Sequence, residues 1–192
     1  MAHLEGLKEY KDANYEISIF DTALESGNPW KIHLHGNRSR IAKVLENRKW
    51  ALTLETEDGQ EDVEKVQIAF LYPADLSEKI GPLLKTDKKV QAMGLEPILA
   101  PGKRYFVKNK SLFPLMKERE VLFFTLLDGK IIRGVVADFS RYDITVHLKG
   151  GLPVTILRHA IYDVRNKKGR SFLKSFQEEH RDWEKSSLFV EE

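Results

Sequence analysis

The chain has no cysteine among its 192 residues. That excludes disulfides, thiolate metal ligands and a cysteine nucleophile, and it suits a reducing compartment. Long apolar runs are missing too. The longest, residues 121–127 with one Thr inside it, is far shorter than the roughly 20 residues a membrane helix needs. The opening stretch, MAHLEGLKEYKDANYE, is polar and charged, unlike the apolar centre of a signal peptide. The expectation is a soluble cytoplasmic protein. Charge of one sign is also scarce: 31 Lys and Arg against 29 Asp and Glu give a formal net charge of +2. A nucleic-acid surface, if there is one, must therefore be local. No glycine-rich phosphate loop, nucleophile elbow or HExxH occurs, and no second catalytic partner stands out, so the chain reads as a non-enzyme that needs no cofactor.

What is present is a dense series of short apolar segments. Hydrophobic residues make up 42%, enough for a packed core, and the length fits one medium domain or two small ones. Residues 121–164 carry the clearest pattern. Residues 121–127 are almost wholly apolar, as in a strand covered on both faces. Asp128-Gly129 gives a hairpin turn, 131–139 follow with Gly134 inside, and 140–142 turn again. Residues 143–149 alternate, with Ile144, Val146 and Leu148 on one side. Gly150-Gly151-Leu152-Pro153 breaks the chain before a last strand over 154–164. Such a series predicts a small, strongly bent, five-stranded antiparallel barrel. Gly134 marks a bend or a bulge.

The earlier half repeats this layout. Residues 15–25 are helix-like, with Ile17, Phe20 and Leu24 at helical spacing, and 26–29 stop them. Strands follow over 30–35, 41–45, 50–56 and 63–72, with Gly36-Asn37 as the counterpart of Asp128-Gly129. The long connection between the halves holds a possible helix at 75–84 and argues for a boundary. The predicted organisation is a diverged domain over 1–73, a linker over 74–110, and a second domain with a basic segment and a C-terminal helix over 111–192. That helix, 171–185, would carry Phe172, Phe176 and Trp183 on one face, packed on its own barrel or on a partner groove.

The segments Leu115-Met116-Lys117-Glu118-Arg119, Asp128-Gly129, Ile132-Arg133-Gly134, Phe139-Ser140-Arg141-Tyr142 and Arg158-His159-Ala160-Ile161 together resemble the bacterial Sm-like RNA chaperone family Hfq. The likeness runs from 111 to 164 without gaps. The Arg-His-Ala-Ile segment is similar to the family's Lys-His signature. In the first half Gln67-Ile68-Ala69-Phe70 stands where that signature is expected, so the cationic pair is missing there. The resemblance implies a mainly β chain of two Sm-like (SH3-type) barrels, each preceded by a short helix. It further implies rings of six folds joined edge to edge, which three tandem chains would complete as a homotrimer with a pseudo-hexameric ring.

The resemblance also implies a site for uridine-rich RNA. Tyr142 would stack on a base, Arg158 would supply charge and His159 would hydrogen-bond. Lys117 and Arg119 match part of a basic rim used in annealing RNA strands, and Lys167 and Lys168 add phosphate-holding charge after the last strand. Departures limit the transfer. Thr125 stands where the family's second, adenine-binding face has an aromatic. Lys108 falls at the position of a base-reading glutamine. Leu157 replaces a tyrosine, and Ser140 replaces an aspartate. Elsewhere, His33 and His35 alternate on one strand and could face a metal ion, but no third ligand accompanies them. The acidic pairs Glu178-Glu179 and Glu191-Glu192 read as solvated. The expectation is a tandem protein for single-stranded RNA in annealing or post-transcriptional regulation. The rival is an Sm fold kept for assembly or protein interaction that no longer binds RNA.

Overall fold

The computed structural model describes residues 4–173. They form a mainly β protein whose strands make one antiparallel sheet of eleven strands that does not close on itself. Helix α1 is Leu7–Asn14 and α2 is Ile19–Ser26. The helix expected over 15–25 begins only at Ile19, and α1 is a separate helix before it. Ser18 divides them: its hydroxyl accepts the Phe20 N–H and caps α2. Gly27, at φ 62°, ends α2 in the left-handed conformation.

Five strands follow: β1 Trp30–Leu34, β2 Arg38–Asn47, β3 Ala51–Thr56, β4 Gly59–Glu64 and β5 Ile68–Pro73. The connection holds α3 Ser77–Ile80, a two-residue strand β6 Lys85–Thr86 and α4 Lys88–Ala92. Then come α5 Asn109–Lys117 and the strands β7 Val121–Leu126, β8 Lys130–Phe139, β9 Asp143–His147, β10 Pro153–Leu157 and β11 Ile161–Asn166.

The spatial order is β11-β7-β8-β9-β10-β5-β1-β2-β3-β4, with β6 on the side of β8. Each half therefore runs fifth, first, second, third, fourth strand. The register is repeated as closely as the order. A bulge lies between Val44 and Glu46 in β2 and between Val136 and Asp138 in β8. Another lies between His33 and Leu34 against β5, and between Ile161 and Asp163 against β7. The halves meet where the fifth strand of the first pairs with the fourth strand of the second, Leu71 opposite Thr155 and Phe70 opposite Ile156.

In both halves the expected last strand is really two. Residues 63–72 contain the end of β4, a single 3-10 turn over Lys65–Gln67 and β5. Residues 154–164 contain β10, a 3-10 turn over Arg158–Ala160 and β11. The corners are hidden because each turn is only three residues long and runs directly into a buried strand.

Gly134 is required by a close approach of β8 and β9. A Cβ there would lie 2.4 Å from the His147 carbonyl oxygen and from Val146 Cγ1. The main core joins β7–β11 with α5 and takes in Phe70 and Tyr72 from β5, while a second core fills the first half around Phe20, Ile32, Leu52 and Leu54. Helix α1 packs on the second half: Leu7 and Tyr10 lie against its core, and the Tyr10 hydroxyl accepts the Phe139 N–H at 2.7 Å. Of the helix expected over 171–185, Ser171 and Leu173 are extended bridge residues, and 174–185, with Phe176 and Trp183, lie outside the described residues. So do the two acidic pairs.

Candidate nucleic-acid interface

The turn between β8 and β9 and the 3-10 turn after β10 are tied together. Ser140 N–H donates to the Asp143 carbonyl at 2.9 Å, and Arg158 N–H donates to the Tyr142 carbonyl at 2.9 Å. Ser140 and Asp143 are buried, and the Ser140 hydroxyl donates to Asp143 Oδ1 at 2.8 Å. Burial pushes the Asp143 carboxyl above its ordinary range, against hydrogen bonds from Ile19 N–H and Ser140 that pull it down. This buried frame holds the Tyr142 ring outward, 52% exposed.

Arg158 is buried, only 8% exposed. Its Nη1 donates to the Val107 carbonyl at 3.3 Å and its Nη2 to Asn109 Oδ1 at 2.9 Å. The guanidinium carbon sits 5.5 Å from the Phe139 ring centre. Its Nε–H is buried without a hydrogen-bond partner among the described residues. Burial draws the guanidinium below its usual range. The next residue faces the other half: His159 Nε2 lies 2.7 Å from the Ile68 carbonyl. Burial lowers the imidazole to about 4, although hydrogen bonds to the Ile68 and Lys65 backbones act the other way. At neutral pH it is an uncharged fastener between the halves.

No family model and no curated protein matches this chain. Its chemistry must be read from these contacts and from the repeat.

The other expected site residues stand elsewhere. Lys117 and Arg119 are exposed at the end of α5, with the Lys117 amine 5.3 Å from the Phe113 ring centre. Lys167 and Lys168 are exposed just after β11. Asn166 at the end of β11 faces Leu122 near the start of β7, so these four cations share one end of the β7–β11 pair. Exposed Glu118 stands between the first two of them. His33 is partly buried against the Tyr72 hydroxyl at 3.0 Å and stacks on Phe70 at 4.1 Å. No group of three or more metal-ligating side chains occurs among the described residues.

The repeat also shows what the sequence alone missed. The shift in numbering that carries Val44 to Val136 carries Trp50 to Tyr142. The 3-10 turns then match Lys65 with Arg158, two residues before the expected Gln67. A cation does stand at that position in the first half, with its amine 5.4 Å from the Phe20 ring centre. Val66 takes the place of His159. The paired bulges were the signal for this register, and they are invisible in sequence.

Proposed function

We propose that the chain binds single-stranded RNA through the Tyr142 turn and is built from two strongly bent Sm-like units joined edge to edge. The repeated strand order and the fifth-to-fourth-strand junction support the architecture. The resemblance over 111–164 supports uridine-rich RNA and a role in annealing or post-transcriptional regulation. One observation carries the site: an exposed tyrosine ring on a turn whose carbonyl is pinned by the backbone N–H of Arg158, the cation that opens the neighbouring 3-10 corner. Base stacking on an aromatic adds about 1–3 kcal/mol. The exposed Lys117, Arg119, Lys167 and Lys168 supply a salt-sensitive rim for phosphates. In this reading His159 holds the halves together rather than reading the base.

Fluorescence anisotropy with short oligo-U and oligo-A at several salt concentrations tests the proposal. Oligo-U is expected to bind at about micromolar affinity or tighter, to weaken steeply with salt, and to weaken about 5- to 150-fold with Tyr142→Ala. Unchanged anisotropy at high protein concentration would sink it.

That outcome would leave the second reading, an assembly or protein-interaction module. It is favoured by Arg158 and His159 committing hydrogen bonds to Val107, Asn109 and Ile68. The expected ring of three chains would need β4 of one chain to dock on the outer edge of β11 of the next. That edge is occupied by the same chain, since Phe172 N–H donates to the Val164 carbonyl at 2.9 Å and Asn166 N–H to the Arg170 carbonyl at 3.1 Å. We take a single chain as the resting form.

A further inference from the structure

We infer that the Trp50 turn is a second nucleobase-stacking site, so that one RNA strand lays a base on each half of the chain. The inference rests on the RNA reading of the Tyr142 turn and extends it to a half whose sequence shows no cationic signature.

The two turns have the same backbone wiring. Arg48 N–H donates to the Ala51 carbonyl at 3.0 Å, as Ser140 N–H does to Asp143. Lys65 N–H donates to the Trp50 carbonyl at 2.9 Å, as Arg158 N–H does to Tyr142. Each turn is therefore pinned to a 3-10 corner whose first residue is a cation. Each holds an aromatic ring outward, and Trp50 is the more open of the two at 74% exposed. Packing does not explain this ring. Trp30, in contrast, is 8% exposed and belongs to the core of the first half. The Lys49 amine lies 5.0 Å from the Trp50 ring centre, so the platform already has a cation beside it. Arg48 is tied to Asp62 at 2.6 Å, which leaves Lys49 as the cation beside the ring.

The difference between the turns sets what each can select. The second half has a buried guanidinium and an imidazole at its 3-10 corner. The first has Val66 and an amine directed at Phe20. Stacking alone tolerates every base. The Trp50 site is accordingly indifferent to base identity, and any preference for uridine resides at Tyr142.

Intrinsic fluorescence tests this in the full chain carrying Trp183→Phe, where Trp30 and Trp50 are the remaining indoles and only Trp50 is exposed. Oligo-U and oligo-A of increasing length are titrated while anisotropy is followed in parallel. Quenching is expected to saturate at the same midpoint as the anisotropy. Trp50→Ala is expected to weaken longer oligonucleotides about 5- to 150-fold, with Trp50→Phe restoring most of the loss. Binding without quenching, with Trp50→Ala silent, would overturn the second site and leave the Tyr142 reading standing. Absence of any binding would overturn both. A fall in mass by light scattering with Trp50→Ala, at unchanged RNA affinity, would overturn it by assigning the ring to an interface between copies.

Discussion

The strands β4 and β10 hold the same place in the two halves and have opposite surfaces. β10 is buried at four of its five residues, and its sequence is PVTIL. β4 is GQEDVE, with only Val63 buried. Position in the sheet explains the contrast, since β10 has neighbours on both sides and β4 lies at the end of the order. Acidic side chains on an end strand discourage further pairing. Their counterparts across the junction differ in the same way. β5 is buried at every residue but the last, because a core lies on each of its faces. β11 ends in exposed Arg165 and the basic turn beyond it. The repeat thus kept its backbone wiring while the strands at the junction diverged from those at the two ends of the sheet. β5 and β10 became almost wholly buried, and β4 and the end of β11 kept exposed polar residues.

The largest expected effect comes from swapping the residue at the centre of the long strand. Gly134 lies opposite Leu122, and Ala42 lies opposite Trp30, in matching registers. A methyl at 134 would meet backbone and a β-branched side chain at 2.4 Å, neither of which can swing aside. Gly134→Ala is expected to cost about 3 kcal/mol or more. Ala42→Gly, which trims a buried methyl and adds chain entropy, is expected to cost about 1 kcal/mol. Urea unfolding measures both. Equal effects would mean that the two long strands approach their neighbours equally closely, and the comparison would fail there.

Much of this frame can be read from the sequence in terms of strand period and turns. Asp128-Gly129 and Gly36-Asn37 sit where hairpins form, with positive φ at Gly36, Asn37 and Gly129. The alternation over 143–149 is seen in the burial of Ile144, Val146 and Leu148. The corners at 65–67 and 158–160 are hidden, since hydrophobic periodicity does not register a three-residue turn that runs directly into a buried strand. The same blind spot displaced the match of the signature by two residues and hid Lys65. The candidate site was legible as residue types but not as roles. Nothing local to Arg158-His159 announces that Asn109, Val107 and Ile68 will claim their hydrogen bonds, because those partners come from distant segments.

Burial of one imidazole in each half makes a second, comparable test. Both His33 and His159 are lowered to about 4 by burial. Lys31 and Lys130 add to the effect at His33. Arg104 adds to it at His159, against its hydrogen bonds to the Ile68 and Lys65 backbones. Each is neutral when folded and takes up a proton readily when unfolded, so its contribution is intact above about pH 6.5. It is lost as pH falls from there to about 4, at roughly 3 kcal/mol per histidine. Urea midpoints at pH 7 and pH 4.5 should therefore differ. His159→Gln and His33→Gln should each flatten the dependence by about one proton. A His159→Gln chain with an unchanged pH slope would show that this imidazole is not held neutral at the junction.

The smallest expected effect concerns where the sheet stops. Val164 in β11 corresponds to Leu71 in β5, and Leu71 is where Thr155 of β10 docks. In β11 that slot is taken by Phe172, whose N–H is bonded to the Val164 carbonyl, with Arg165 and Ser171 forming a bridge beside it. The chain thus covers its own edge at the point where a second copy would have to enter. Phe172→Pro removes the donor and weakens the cover by about 1 kcal/mol. Because β4 presents Gln60, Glu61, Asp62 and Glu64 where β10 presents the uncharged run PVTIL, the uncovered edge should attract a copy only weakly. Light scattering is expected to give the mass of one chain for the natural sequence, with association of Phe172→Pro appearing only at high concentration. A natural chain that runs at the mass of three would mean that the cover is displaced spontaneously. The self-terminating sheet would then give way to the closed ring.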